Sequence, residues 1–402
     1  MVPNTDLLYQ YDAYRTSFEA RIVACRTVKD RPGVILDATC FYPTSGGQPN
    51  DLGTLNGIPI CDVKMDDQDV VHVLAEPLDA DVVKGVIDWQ RRYDHMQQHT
   101  GQHILSRVFV DLFEAQTLSF HMSGDICTID IDRKPESAND WELLQDRLHE
   151  IVGRNVSVNA YTVQLAEVDT LDIRKIPDRD GPLRIIDIEG VDRTACGGTH
   201  CATSGELGVV QIVNRRPRRV HGGLYRIEFM CGRRALYDYN RKINVVCEVA
   251  DVLSVGEGDI RNSVSMLMQA KKDSDRAAAS LRGQILDYEA NALVASIDLT
   301  HDTPLLQRVF EDRTQDELRI LAQKITSQTA CAVLFGSVTG KPMLVFARSE
   351  GMHMHMGDLM REATALVGGR GGGKPNIAMG GGQDADAVRS AIVYVVKKIT
   401  SE

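Results

Sequence analysis

The chain has 402 residues, 43% of them hydrophobic and 25% charged, with a formal net charge of -11. That length supports two or three domains, and the acidic balance excludes a protein that coats nucleic acid through bulk positive charge, though not one with local basic patches. No apolar run approaches a membrane span, the start Met1-Val-Pro-Asn-Thr-Asp6 lacks the order of a signal peptide, and nine scattered cysteines suit reduced thiols, so a cytoplasmic protein without membrane partners is expected.

Residues 1–92 read as a β-rich, barrel-like domain. Arg21-Ile-Val-Ala-Cys25, Gly33-Val-Ile-Leu-Asp37 and Asp81 to Asp88 are short β-branched runs separated by turn residues. Between them, Thr39-Cys-Phe-Tyr-Pro-Thr-Ser-Gly-Gly-Gln48 continues through Pro49 to Gly53. Pro43, Gly46 and Gly47 mark an irregular loop whose backbone can approach a ligand closely, or a plain hairpin turn.

Residues 93–240 read as a second domain with an antiparallel sheet. It opens on a helix spanning Trp89 to Phe113, with an apolar stripe of Ile104, Leu105, Val108 and Leu112. His95, His99 and His103 recur at four-residue steps and share roughly one face, so periodicity alone does not choose among them. Two imidazoles on one face can hold a metal ion but leave its tetrahedron half empty. Downstream, Thr194-Ala-Cys-Gly-Gly-Thr-His200 places Cys196 and His200 on either side of Gly197 and Gly198, in a turn that can aim both side chains at one point. Three nitrogens and one sulfur suit zinc, one ion per chain.

Between these motifs, Ser119 to Ser123, Cys127 to Asp132, Val156 to Tyr161 and Leu183 to Ile188 read as strands, and Trp141 to Val152 as an amphipathic helix capped by Ser137 or Asn139. Asp178-Arg-Asp-Gly-Pro182 reads as a loop. Strands Val209 to Asn214 and Leu224 to Met230 flank Arg215-Arg-Pro-Arg-Arg219, a basic hairpin where Arg218 and Arg219 can contact phosphate. Residues 241–300 lose their turn signals, and Ser263 to Leu293 reads as one long helix or half of a helical hairpin whose apolar face needs a partner, in this chain or a second copy.

Residues 301–402 read as a separate α/β unit, with helices near Glu317 to Thr326, Gly357 to Leu366 and Ala385 to Ile399, and buried strands at Cys331 to Gly336 and Met343 to Ala347. The run from Gly368 to Gly382 is paved with glycine. Arg370 and Lys374 within it point to an anion such as an RNA phosphate, and the Lys is not followed by Ser or Thr, which excludes a P-loop.

His99-x-x-x-His103 with Cys196-Gly-Gly-Thr-His200 closely resembles the editing domain of alanyl-tRNA synthetases, which also occurs free-standing in the AlaX family. Phe41-Tyr-Pro, Gly46-Gly-Gln-Pro and Asp51-Leu-Gly look like that family's glycine-rich segment, and Arg370-Gly-Gly-Gly-Lys374 after a long helix looks like a DHHA1-type domain. Two departures stand out: Pro375-Asn-Ile-Ala-Met where an Asp is common, and Thr44-Ser45 before Gly46. The resemblance implies an α+β protein whose ligands are His99, His103, Cys196 and His200, leaving His95 outside the motif. It implies a long-type editor acting in trans, as no aminoacylation domain is recognised, with mischarged tRNA(Ala) as partner and a homodimer through the helical and C-terminal region.

The expected reaction is zinc-dependent hydrolysis of Ser-tRNA(Ala), with Gly-tRNA(Ala) as a second substrate and Ala-tRNA(Ala) spared. A pocket built for alanine rejects serine only about a hundredfold, so a second site must remove it. Thr39, Gln102 and His121 are the polar groups expected in the pocket, beside Gly46, Gly47 and Gln48. The Gly197 and Gly198 amides are expected oxyanion donors. Thr100 stands where the zincin motif has its glutamate base, which excludes that mechanism. Two other classes compete: a zinc-stabilised tRNA-binding module without chemistry, and a metallohydrolase of small esters.

Overall fold

In the computed structural model, which describes residues 5–66, 69–174, 181–338 and 340–401, the chain divides into two compact units, 1–249 and 250–402. The loop expected at Asp178 falls partly on 175–180, outside the described residues.

The first unit begins with a closed barrel. Its strands run Ser17–Val28, Arg31–Leu36, Asp69–Leu74, Ile58–Asp66, Gly53–Leu55 and Val82–Ile87 around the ring, and the last pairs with the first. Closure leaves no edge strand to protect. The alternation expected of half-buried strands is clearest in Val82–Ile87, where every second residue is buried. Phe18, Leu36, Phe41, Leu55, Val63 and Leu74 fill the interior.

Helix α1, Trp89–Phe113, follows directly. Asp88 caps it by accepting from the Arg91 N–H, and Glu114 ends it at φ 52°. Ile104, Leu105 and Val108 are fully buried, as their spacing predicts, but so are Arg92, Gln98 and Thr100. This middle stretch is enclosed on more than one face, and Arg92, Gln98 and Thr100 survive there because each is hydrogen-bonded. A sheet of Val210–Ile212, Tyr225–Cys231, Ile126–Ile131 and Thr117–Ser123 packs with α1 and helix α2, Ala138–Gly153, in one apolar core. Ser137 caps α2 in a reciprocal box with Asp140. A second, three-stranded sheet carries Val158–Val163, Leu183–Ile188 and Asp192–Ala195, all antiparallel. Helix α3, Gly232–Leu253, continues from the first sheet.

In the second unit, helix α4, Ile260–Ala295, packs its C-terminal Leu286, Ala290 and Leu293 against helix α5, Gln315–Gln328. A five-stranded sheet follows the order Leu305–Phe310, Ala332–Ser337, Met343–Arg348, Ile377–Gly381, Arg370–Gly373. Its first pair is parallel and the rest are antiparallel. Helices α6, Met356–Leu366, and α7, Ala387–Thr400, complete its other core. The glycine-rich run is not a loop throughout: Gly371 pairs with Gly380 in a β-hairpin. A Cβ at either position would meet Thr364 of α6 within 3 Å, so glycine lets the helix lie against bare backbone.

Candidate metal centre

Helix α1 presents His99 and His103, one turn apart, and the segment after strand Asp192–Ala195 returns Cys196 and His200 to them. One donor atom from each of the four lies within 4.8 Å of every other, and all are buried except the half-buried Cys196. The Cys196 Sγ stands 3.5 Å from His99 Nε2 and 3.4 Å from His200 Nε2. With Zn–S near 2.3 Å and Zn–N near 2.05 Å, the edge of a tetrahedral zinc site is about 3.5 Å. The donor set therefore fits zinc in chemistry, and the two Cys196 edges fit it in spacing. His95 is not part of the cluster. It is buried one turn earlier, and its Nδ1 has no hydrogen-bond partner among the described residues.

Each imidazole backs onto a different group. His99 Nδ1 donates to Gln48 Oε1 at 2.8 Å. That same oxygen accepts the Thr199 N–H, and Gln48 Nε2 donates to Thr199 Oγ1, so the amide is fixed and His99 is left with Nε2 as its free lone pair. Thr100 Oγ1 lies 3.2 Å from His200 Nδ1 and accepts the Cys201 N–H. His103 Nδ1 faces Asp192 at 3.7 Å, and Asp192 is gripped by both nitrogens of an Arg174 fork. Arg184 closes the Cys-Gly-Gly-Thr-His turn by donating to the carbonyls of Cys196 and Gly198 at 2.9 Å each.

Burial dominates the electrostatics. It drives His99 and His200 well below the ordinary imidazole range and His103 to about 3, with neighbouring charges adding to the effect. Neutral imidazoles with exposed lone pairs are what a metal requires. Burial also raises the Cys196 thiol, against the opposing pull of the Gly198 N–H and Arg184.

Three of the four, His99, His103 and Cys196, border a cavity of about 670 Å³. Gly46, Gln102, Gly197 and Gly198 line it with His99, His103 and Cys196. Gln102 Nε2 donates to Ser106 Oγ at 2.7 Å, which orients the amide. The Gly198 N–H points at Cys196 Sγ, 3.4 Å away, whereas the Gly197 N–H makes no hydrogen bond among the described residues. Gly47 (φ 86°) does not line the cavity but presses on the Phe120 carbonyl, which a Cβ would meet at 2.5 Å. Gln48 lies behind His99, fully buried.

Thr39 and His121 are not on the cavity wall. Thr39 is inside the barrel: His72 donates through Nδ1 to the Val34 carbonyl, and its Nε2 accepts from Thr39 Oγ1 at 2.8 Å. His121 is exposed on its strand. Sequence reasoning passed over Tyr9, Tyr42, Arg174 and Phe120, which do line the cavity. Their only signal was proximity to a motif, or none. Arg218 and Arg219 form a short exposed strand paired with Tyr225–Cys231, and Arg370 and Lys374 are exposed in the second unit.

The second additional domain of threonyl and alanyl tRNA synthetases matches residues 183–228, and the DHHA1 domain matches residues 302–401. Alanyl-tRNA editing protein AlaX-L of Pyrococcus horikoshii is 28% identical, over 93% of this chain and 93% of its own. Alanyl-tRNA editing protein Aarsd1 of Danio rerio is 27% identical, over 91% of each chain. The alanine–tRNA ligase of Pyrococcus abyssi is 26% identical over 98% of this chain, which spans 44% of the ligase. Over nearly its whole length, the chain is therefore AlaX-L/Aarsd1-like, with the synthetase second additional domain and a DHHA1 domain.

Proposed function

We propose that the protein is a zinc-dependent deacylase that hydrolyses Ser-tRNA(Ala), and Gly-tRNA(Ala) as a second substrate, while sparing Ala-tRNA(Ala). The observation that carries this reading is the cluster of three imidazoles and one thiol, of which His99, His103 and Cys196 line the wall of an open cavity. A purely structural zinc site has no need of a cavity. Similarity to two alanyl-tRNA editing proteins over nine-tenths of the chain supports the substrate class.

In the reaction, a water oxygen attacks the ester carbonyl carbon. The bond to the ribose oxygen breaks, that oxygen takes a proton, and the free amino acid and deacylated tRNA leave. Zinc, when bound, supplies Lewis acidity, lowering the pKa of water toward about 7 or holding the substrate's amino group or ester oxygen. The chain's own residues do the rest. Gly197 offers the free N–H to the developing oxyanion, since the Gly198 N–H is directed at Cys196. Gln102 meets the polar part of the amino acid, steadied by Ser106. No Asp or Glu lines the cavity among the described residues, so a carboxylate base of the His-Glu-x-x-His kind is not available.

The second unit grips the tRNA body through Arg370 and Lys374, with Arg218 and Arg219 as further phosphate contacts in the first. A homodimer forms through the helical region. Val264 and Leu267 of α4, and two heptads further on Leu281 and Ile285, share a helical spacing and are exposed, the pattern that a second copy would cover.

The test is incubation of the full chain with Ser-tRNA(Ala), Ala-tRNA(Ala) and Ser-tRNA(Ser), with and without chelator. Chelator-sensitive loss of serine from tRNA(Ala) alone is expected. Binding without hydrolysis would make the protein a tRNA-binding module, and indifference to the tRNA would make it a general esterase. Cys196→Ala should abolish deacylation and bound zinc together. Full activity in a zinc-free Cys196→Ala protein would sink the metal assignment.

A further inference from the structure

The Cys-Gly-Gly-Thr-His turn is held by a cation that lies off the cavity wall. Arg184 sits on strand Leu183–Ile188, and its own carbonyl accepts the Cys196 N–H at 3.0 Å. Its guanidinium then reaches the turn itself. Nη1 donates to the Cys196 and Gly198 carbonyls at 2.9 Å each, and Nε donates to the Gln10 carbonyl at 3.3 Å. Among the described residues, every hydrogen bond of this side chain goes to a backbone carbonyl, and no carboxylate forms an ion pair with it. Arg184 does not line the cavity, whereas Cys196, Gly197 and Gly198 do.

A side chain that captures a carbonyl also decides where the next N–H goes. A trans peptide unit is planar, and none of the described peptide bonds is cis, so each C=O points opposite to the N–H that follows it. The two carbonyls held by Arg184 therefore turn the Gly197 and Thr199 N–H groups away from the guanidinium. The Thr199 N–H shows the outcome, meeting Gln48 Oε1 at 3.2 Å. The Gly197 N–H has no such partner among the described residues, and a Cβ on Gly197 would meet nothing within 4 Å. The same cation polarises the peptide through the Cys196 oxygen, which makes the Gly197 N–H a stronger donor. On the deacylase reading given above, we propose that Arg184 is the positioning residue of the oxyanion site: by holding the Cys196 and Gly198 carbonyls, it aims the Gly197 N–H at the place where the ester oxygen gains charge. Arg184 touches neither the substrate nor the reacting atoms. A donor fixed in this way needs no reorganisation as the charge develops.

The full chain, labelled with 15N-glycine and loaded with zinc, can be titrated with the methyl ester of (1-amino-2-hydroxyethyl)phosphonic acid, an anionic tetrahedral mimic of the attacked serine ester. The 31P resonance of the mimic reports its binding, and the Gly197 amide is identified by its absence in Gly197→Ala. The bound mimic should move the Gly197 proton downfield. In Arg184→Gln that shift should be lost while the mimic still binds, and kcat on Ser-tRNA(Ala) should fall about tenfold or more, with KM within about twofold and bound zinc retained. Arg184→Lys keeps the charge and can reach a carbonyl, so it should recover part of both the shift and kcat. No Gly197 shift with the mimic bound to the wild-type chain, an unchanged shift in Arg184→Gln, or a fall in kcat matched by lost zinc would each overturn the assignment. Hydrolysis by the wild-type chain without the shift removes the role of Arg184 and keeps the deacylase. The shift without hydrolysis removes the deacylase and keeps an anion site aimed by Arg184.

Discussion

Gln48 shows how a residue's position in a motif can mislead about its task. Beside two glycines it reads as a group that touches substrate, yet its amide is spent on His99 and Thr199. Gln48→Ala should weaken zinc binding about 10- to 100-fold, because groups behind a metal ligand set its tautomer and aim. Competition with a chromophoric chelator measures this, and unchanged affinity would return Gln48 to the substrate. The four clustered donors were legible because two spaced motifs name them. Thr100, Asp192 and Arg184 were not, because nothing in their local sequence says which atom they face. His72 is a second buried imidazole with a measurable consequence. Burial lowers it to about 4, from 6.5. The unfolded chain therefore takes up the proton first as pH falls. The stability contributed by keeping this group neutral is complete above pH 6.5 and is lost progressively toward pH 4, on the order of 3 kcal/mol. Urea unfolding from pH 4 to 7.5 should show a shallower slope in His72→Gln. The slope will not vanish, since His95 and His103 are also held low by burial.

At the scale of elements, the barrel loop and α1 are tied by an ion pair with no exposure on either side, Arg92 with Asp51. Asp51 also accepts the Tyr42 N–H, and Arg92 donates to the Ala13 carbonyl. Removing one partner of such a pair leaves a buried charge, at a cost of about 3–5 kcal/mol. The metal-bearing helix and the glycine-rich loop are thus held in one register. The two glycines of the Cys-Gly-Gly-Thr-His turn should behave oppositely. A Cβ on Gly198 would lie 2.2 Å from His99 Cε1, whereas one on Gly197 meets nothing within 4 Å. Gly198→Ala should lose zinc while Gly197→Ala keeps it, and metal content after dialysis separates them. Equal zinc in both would mean that the turn yields. Strands and helices were largely readable from periodicity and caps, as with Ser137 before α2. The glycine hairpin in the second unit was not, because strand patterns are read from side chains and here there are almost none.

For the whole molecule, the division after Val249 separates the metal centre from the DHHA1 domain. A chain ending there keeps the His99/His103/Cys196/His200 cluster and lacks Arg370 and Lys374, so on the proposed reading it should retain the chemistry. Its kcat on Ser-tRNA(Ala) should change little, while its preference for tRNA(Ala) over tRNA(Ser) falls by about tenfold or more. Equal selectivity in the short and full chains would refute that division of labour.

The split of the quartet between α1 and a turn nearly a hundred residues later has a consequence for synthesis. His99 and His103 leave the ribosome as half a site, on a helix whose polar middle has no enclosure yet. Only when His200 emerges can an ion bridge the two stretches, and the chain between them then becomes a closed ring. With zinc as that ion, its supply would act on the closing of the ring, the last stage of this unit's maturation.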